Sequence, residues 1–196
     1  MIKFRILNAD PLYDLKEFNK ITQGIDLDGY YVTHPRKEVE WWIKEIIANH
    51  STVRSVHFRV IATQPKSVVM QIIRATKGHP QPEVESSRPD WTGQERSNNP
   101  YEEKLFAQDH TAESFIEMAK QRLCERTEKR TKEFMWEMVD ELRKSDEPFL
   151  QAVGYCCHPA CWWYNGRCPE IKSCHEGVQK LSDCAIRYYN LDKEKE

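Results

Sequence analysis

A chain of 196 residues is long enough for one full-sized core, and nothing in its composition demands a second, so residues 1–196 are read as a single domain. Lys plus Arg number 29 against 31 Asp plus Glu, a formal charge of -2, which excludes a general basic field for a nucleic-acid backbone and leaves any anion site to local residues. No apolar run reaches the length of a signal-peptide core or a membrane span, so the expectation is a cytoplasmic protein with neither membrane nor nucleic acid among its partners.

In chain order, IKFRIL alternates as a first strand, and DPLYDLKEFNKI carries Leu12, Leu15, Phe18 and Ile21 at helical spacing until GIDLDG ends it. Residues 36–49 form a stronger amphipathic helix, with Val39, Trp42, Ile43, Ile46 and Ile47 in one apolar stripe. VRSVHFRVIAT is β-branched and alternates through Val56, Phe58, Val60 and Ala62, the pattern of a half-buried strand. Pro65 then suits the first turn of the helix PKSVVMQIIR.

Residues 76–100 have no periodicity and hold Pro80, Pro82, Pro89 and Pro100, so they are read as one long loop, a length that usually marks function or disorder. Residues 111–144 return to helix with two stripes: Phe115, Met118, Ala119 and Leu123, then Phe134, Met138, Val139 and Leu142. The charged run CERTEKRTKE lies between them as a solvated face or a break. Helices are also expected at 149–163 and 174–190, on either side of the turn YNGRCPE.

Three groups of residues carry chemistry. The loop contains Glu85, Ser86, Ser87 and Arg88, and the helix before it ends in Gln71 and Arg74, about one turn apart on nearly the same face. Serine hydroxyls and guanidinium forks hold phosphates, although the same residues also make an ordinary surface loop. The second group is the cysteines, six of seven lying between 156 and 184. Their spacing does not resolve into two CxxC-type pairs, and free cysteine is often simply packed, so reduced thiols and no metal ligands are expected; a structural zinc site is the alternative. The third is CWWYNGR, where Trp162 suits a core cluster closed by a turn at Asn165-Gly166, while Trp163 and Tyr164 suit a flat wall for a heterocycle.

Taken in order, these pieces resemble the flavin-dependent thymidylate synthase (ThyX) family. That family has a histidine before a V-x-F-x-V strand, a helix ending Q-x-x-R-H-R, a loop S-x-E-S-x-R-Y and a later helix F-x-N-x-R. The matches here are His50, VHFRV, QIIR at 71–74, ESSR at 85–88 and WYNGR at 163–167. The chain departs from the pattern with Ala75 and Thr76 after Arg74, so two members of the triplet are missing unless Lys77 or His79 substitutes, with Pro89 after Arg88, and with CHEGVQKL near the end.

The resemblance implies an α/β fold of the α+β type, a central sheet flanked by helices, and a homotetramer with active sites between subunits. It implies FAD as cofactor, with methylene-tetrahydrofolate and NADPH as co-substrates, and transfer of a one-carbon unit to C5 of a deoxypyrimidine monophosphate, as in deoxyuridine monophosphate to its thymidine product. The family's reduced flavin supplies the hydride, so the protein binds, orients and polarises. Arg167 and Ser86 are then the catalytic candidates, and Gln71, Arg74, Glu85, Ser86, Arg88 and Arg167 the substrate contacts. His50, Arg74, His79 and Asn165 are the cofactor contacts. Two other readings stay open: a nucleotide-binding relative without flavin chemistry, and a zinc-stabilised interaction domain.

Overall fold

The structure, a computed structural model, describes residues 1–24, 37–75, 82–86, 88–93, 95, 97–175 and 179–180. His79, Ser87 and Cys184 lie outside the described residues, as does most of the helix expected at 174–190.

Strand β1 (Ile2–Ile6) leads into helix α1 (Pro11–Thr22), which starts where Asp10 accepts the Tyr13 amide at 3.0 Å and Pro11 presets the first turn. Helix α2 (Val39–Ile47) is followed by a short 3-10 turn, Ser51–Ser55, and then strand β2 (His57–Pro65). The strand expected from residue 53 therefore begins four residues later, because Val53 is wound into that turn.

Pro65 ends β2, paired with Glu103, instead of opening the next helix. Helix α3 (Lys66–Ala75) follows without a loop, its first amides donating to the carbonyls of Glu102 (2.8 Å) and Pro100 (2.9 Å). Those neighbouring carbonyls satisfy donors that a side-chain cap would otherwise take.

The long loop is partly structured. It holds the two-residue strand β3 (Glu83–Val84) and the one-turn helix α4 (Pro89–Thr92). It is followed by a strand absent from the expected elements, β4 (Glu103–Thr111). Helix α5 (Ala112–Arg122) opens on a capping box between Thr111 and Ser114, and α6 (Lys129–Arg143) opens where the Glu128 carboxylate takes the Arg130 and Thr131 amides. The charged run is thus a break between two helices. The single helix expected at 149–163 is instead α7 (Pro148–Cys156) and the one-turn α8 (Ala160–Trp163), because Pro159 cannot continue the first.

The four strands form an antiparallel sheet in the order β1-β2-β4-β3, with Phe4 opposite Val60 and Val60 opposite Gln108. The fold class is α+β. One sheet face, Phe58, Val60 and Ala62 of β2 with Phe106 of β4, is buried in a continuous core that also takes in residues of α1, α2, α3 and α5 to α7. Phe58, Phe115 and Phe149 meet there with ring centroids 5.5 to 6.2 Å apart. Residues of the opposite face, such as Lys3, Arg5 and Leu105, are exposed, and Arg59 and Asp109 pair across the strands there. The Arg59 guanidinium holds the Asp109 carboxyl below the usual range, first through its hydrogen bonds.

β4 escapes a hydrophobic scan because its buried positions are Lys104, Phe106, Gln108 and His110 while Leu105 faces outward. Lys104 is neutralised by Glu102 at 2.7 Å, and His110 meets the Ser114 hydroxyl at 3.3 Å.

Helices α6 and α7 touch most tightly at Gly154, where an added Cβ would lie 2.9 Å from both the Arg143 amide nitrogen and the Leu142 Cβ. Backbone cannot yield as a flexible side-chain end can. Gly154→Ala is therefore expected to lower stability by about 1–3 kcal/mol in chemical denaturation, although alanine favours helix. A rise in stability would show that the two helices separate at no cost.

Candidate functional site

Helix α3 carries Gln71 half-buried and Arg74 exposed, with Ile72 and Ala75 on its core side. Ala75 stands where the family pattern has histidine, and its side chain is packed in the core. Arg74 has a neighbour that sequence reading missed: Arg122, the last residue of α5. The Arg122 guanidinium is half-buried, its Nε makes no hydrogen bond, and among the described residues no carboxylate pairs with it. Burial and, second, the like charge of Arg74 push its pKa down from the ordinary arginine value. Two guanidiniums that repel each other, one with an idle buried donor, form a place where an anion relieves both penalties.

Glu85 and Ser86 follow β3, the edge strand of the sheet. Glu85 extends the β3–β4 pairing, its amide donating to the Leu105 carbonyl (2.8 Å) and its carboxylate accepting the Leu105 amide (3.1 Å). Ser86 accepts the Arg88 amide at 3.1 Å, a local turn, and Arg88 turns its fork onto Asp90 through Nε (3.1 Å) and Nη2 (2.5 Å). The hydrogen bonds of Glu85 therefore go to β4 and not to the Ser86–Arg88 turn that the resemblance has it shape. For Arg88 to grip a phosphate, the ligand must first displace Asp90.

His50 stands between α2 and the 3-10 turn. Helix α2 ends with Asn49 in the left-handed region (φ 54), and exposed His50 then opens the 3-10 turn. It lines a cavity of about 230 Å³ with Arg54, Glu113, Glu117, Lys120 and Trp163. Glu113 pairs with Arg54 and Glu117 with Lys120, and the Lys120 ammonium stands 4.6 Å from the centre of the Trp163 ring. The Trp163 indole N–H is buried without an acceptor.

Trp163 lines this cavity and also packs against the hydrophobic core. Trp162, expected in the core, is 53% exposed and stacks on His158 at 4.1 Å, because the break at Pro159 changes the phase of α8 relative to α7. Asn165 (φ 52) and Gly166 (φ 81) make the turn that follows, and the Arg167 amide closes it on the Tyr164 carbonyl at 3.1 Å. The Arg167 side chain is exposed and makes no ion pair among the described residues.

The expected site residues are therefore split. Arg74 acts on Arg122, Glu85 extends the edge pairing of the sheet, and His50 shares a cavity with Trp163. The residues lining the His50 cavity, 112, 113, 116, 117 and 120, occupy one face of α5, and Arg122 projects from nearly the opposite face. At about 230 Å³ the cavity is below the roughly 300–1,000 Å³ of a typical ligand pocket. One chain's own residues accommodate a ring-sized fragment there and do not fit an entire flavin dinucleotide.

Cys156 and Cys157 are buried at the end of α7, as expected of packed thiols, and burial pushes the Cys156 thiol up to about 11. Among the described residues no three His, Cys, Asp or Glu side chains stand together as ligands of one metal ion, and no helix is long and apolar enough to cross a membrane. No protein-family model and no curated protein matches this chain.

Proposed function

We propose that this protein binds a deoxypyrimidine monophosphate through Arg74, Arg122 and Gln71, and transfers a one-carbon unit to C5 of the pyrimidine in the manner of the flavin-dependent thymidylate synthases it resembles. The observation that carries the binding half is the Arg74–Arg122 pair: a half-buried guanidinium with an idle donor and no carboxylate partner among the described residues, beside the residues that match the family's nucleotide helix. The order of the matched motifs carries the rest.

In this reading the phosphate lies against Arg74 and Arg122, and Gln71, one turn earlier, hydrogen-bonds the sugar or base. Arg167 favours negative charge on the pyrimidine oxygen and nitrogen as C5 becomes nucleophilic, a role for a planar, permanently charged donor. No protein nucleophile is required. Because Arg167 and the phosphate residues are apart in one chain, the site is completed by a second subunit, in keeping with the homotetramer the resemblance implies. Flavin, too, would need surface from that neighbour.

A second reading keeps the nucleotide site and drops flavin. Ala75 favours it, since a side chain packed in the core cannot replace the family's histidine at a cofactor.

Binding of deoxyuridine monophosphate and of deoxyuridine, measured by calorimetry on protein purified with added FAD, separates these readings. Nucleotide binding at least about tenfold tighter than nucleoside, in a yellow protein, is the expected result, a tenfold ratio being about 1.4 kcal/mol. Colourless protein with the same preference supports the second reading. Equal affinity for the two ligands, or none for either, refutes the phosphate site.

A further inference from the structure

Four cysteines from three parts of the chain meet at one small cavity. Cys124 follows α5, Cys161 lies in α8, and Cys168 and Cys174 come from the segment after the Asn165–Gly166 turn; all four line a mostly apolar space of about 110 Å³, with His175 at its edge. All four are free thiols.

The backbone holds this arrangement in place. The left-handed turn at Asn165 and Gly166 reverses the chain, with the Gly166 amide on the Cys161 carbonyl at 2.8 Å, and so returns Cys168 toward Cys161. The Cys168 amide donates to the Gln179 carbonyl at 3.0 Å, and a parallel bridge joins Cys168 to Lys180. Arg126 donates to the Lys172 carbonyl at 3.1 Å, tying the segment before Cys174 to the region just after Cys124.

A single zinc ion needs its sulfurs about 3.8 Å apart, since each lies about 2.3 Å from a tetrahedral centre. Among the described residues no three ligand side chains meet such a requirement. An iron–sulfur cluster places its own irons and sulfides between the thiolates, so its four cysteine ligands surround a volume instead of converging on a point. Four cysteines lining one small, mostly apolar space provide the ligand type and number that such a cluster takes.

We propose that Cys124, Cys161, Cys168 and Cys174 ligate a [4Fe–4S] cluster. The cluster with four thiolates carries two negative charges in its oxidised, +2 core state. Lys120, already paired with Glu117, and Glu170 both line the cavity, so the ligand set rests on the four thiols. Loading from a cluster carried by small thiols is a ligand exchange without redox change: each cysteine S–H loses its proton to the departing thiolate, one iron–sulfur bond breaks and one forms. The inference stands apart from the pyrimidine reading, because it uses none of the nucleotide residues.

The test is anaerobic transfer of a preformed [4Fe–4S] cluster ligated by 2-mercaptoethanol to the full-length, reduced chain, followed by desalting and analysis of iron and acid-labile sulfide. About four of each per chain are expected, with visible circular dichroism showing a chiral, protein-held cluster. Cys161→Ala combined with Cys174→Ala is expected to lower retained iron at least about tenfold, while Cys156→Ala, outside the cavity, retains the wild-type amount. Far-UV circular dichroism checks that each variant is folded. If the double variant does not fold, Cys174→Ala alone decides, because that residue is exposed and its loss leaves the core intact. Folded wild-type protein that retains no cluster, full retention by the variants, or tight stoichiometric zinc that excludes the cluster would each overturn the proposal.

Discussion

Arg167→Lys is expected to fold normally and to bind the monophosphate, while product formation falls by a factor on the order of a hundred, the range for loss of one preorganised transition-state donor. The substitution keeps the charge and removes the planar fork, so it tests geometry more than electrostatics. A merely structural role predicts the reverse, lost stability with turnover per folded molecule intact. The turn itself argues against that role: the Arg167 backbone amide closes it on Tyr164, and the exposed guanidinium makes no ion pair among the described residues. The readout is kcat against KM, since loss of a contact made only in the transition state lowers kcat. Wild-type turnover in folded Arg167→Lys would leave the motif as scaffold.

Removing either member of the arginine pair is expected to move binding and stability in opposite directions. Arg122→Ala and Arg74→Ala should each weaken deoxyuridine monophosphate binding by about 1.5–3 kcal/mol, the range for a hydrogen bond to a charged group, and leave deoxyuridine binding nearly unchanged. Without ligand, the same changes relieve repulsion between like charges, so stability in denaturant holds or rises, more for half-buried Arg122 than for exposed Arg74. A structural arginine behaves otherwise: its loss destabilises the protein and affects both ligands alike. Calorimetry with both ligands and a denaturation curve for each variant distinguish the two cases. Equal weakening toward nucleotide and nucleoside would remove the pair from the phosphate site.

The elements legible in the sequence are those whose burial is written as apolar periodicity. β1, α1, α2 and α3 repeat apolar residues at intervals of two or of three to four, as does the part of β2 from Phe58 onward, and each lies within three residues of its expected place apart from the turn that takes the start of β2. The break between α5 and α6 was legible because a charged run cannot continue an apolar stripe. The motif residues at 71–74, 85–88 and 163–167 were likewise visible as types and spacings.

Tertiary structure alone decided three matters. β4 is a central strand although its buried face holds Lys104, Gln108 and His110; Glu102 and Ser114 provide partners for Lys104 and His110 that no local pattern announces. The run from Arg122 to Arg130 contains three arginines of similar context, and packing separates them. Arg126 takes the Lys172 carbonyl, Arg130 lies over the Tyr101 ring, and only Arg122 is left half-buried beside Arg74. The six cysteines among the described residues divide in the same way, two into the core at the end of α7 and four around one cavity. Composition and periodicity determine which surfaces leave water, because that free energy is set by each residue's own side chain. Which charges and thiols become neighbours depends on how distant segments cross, and no residue carries that information by itself.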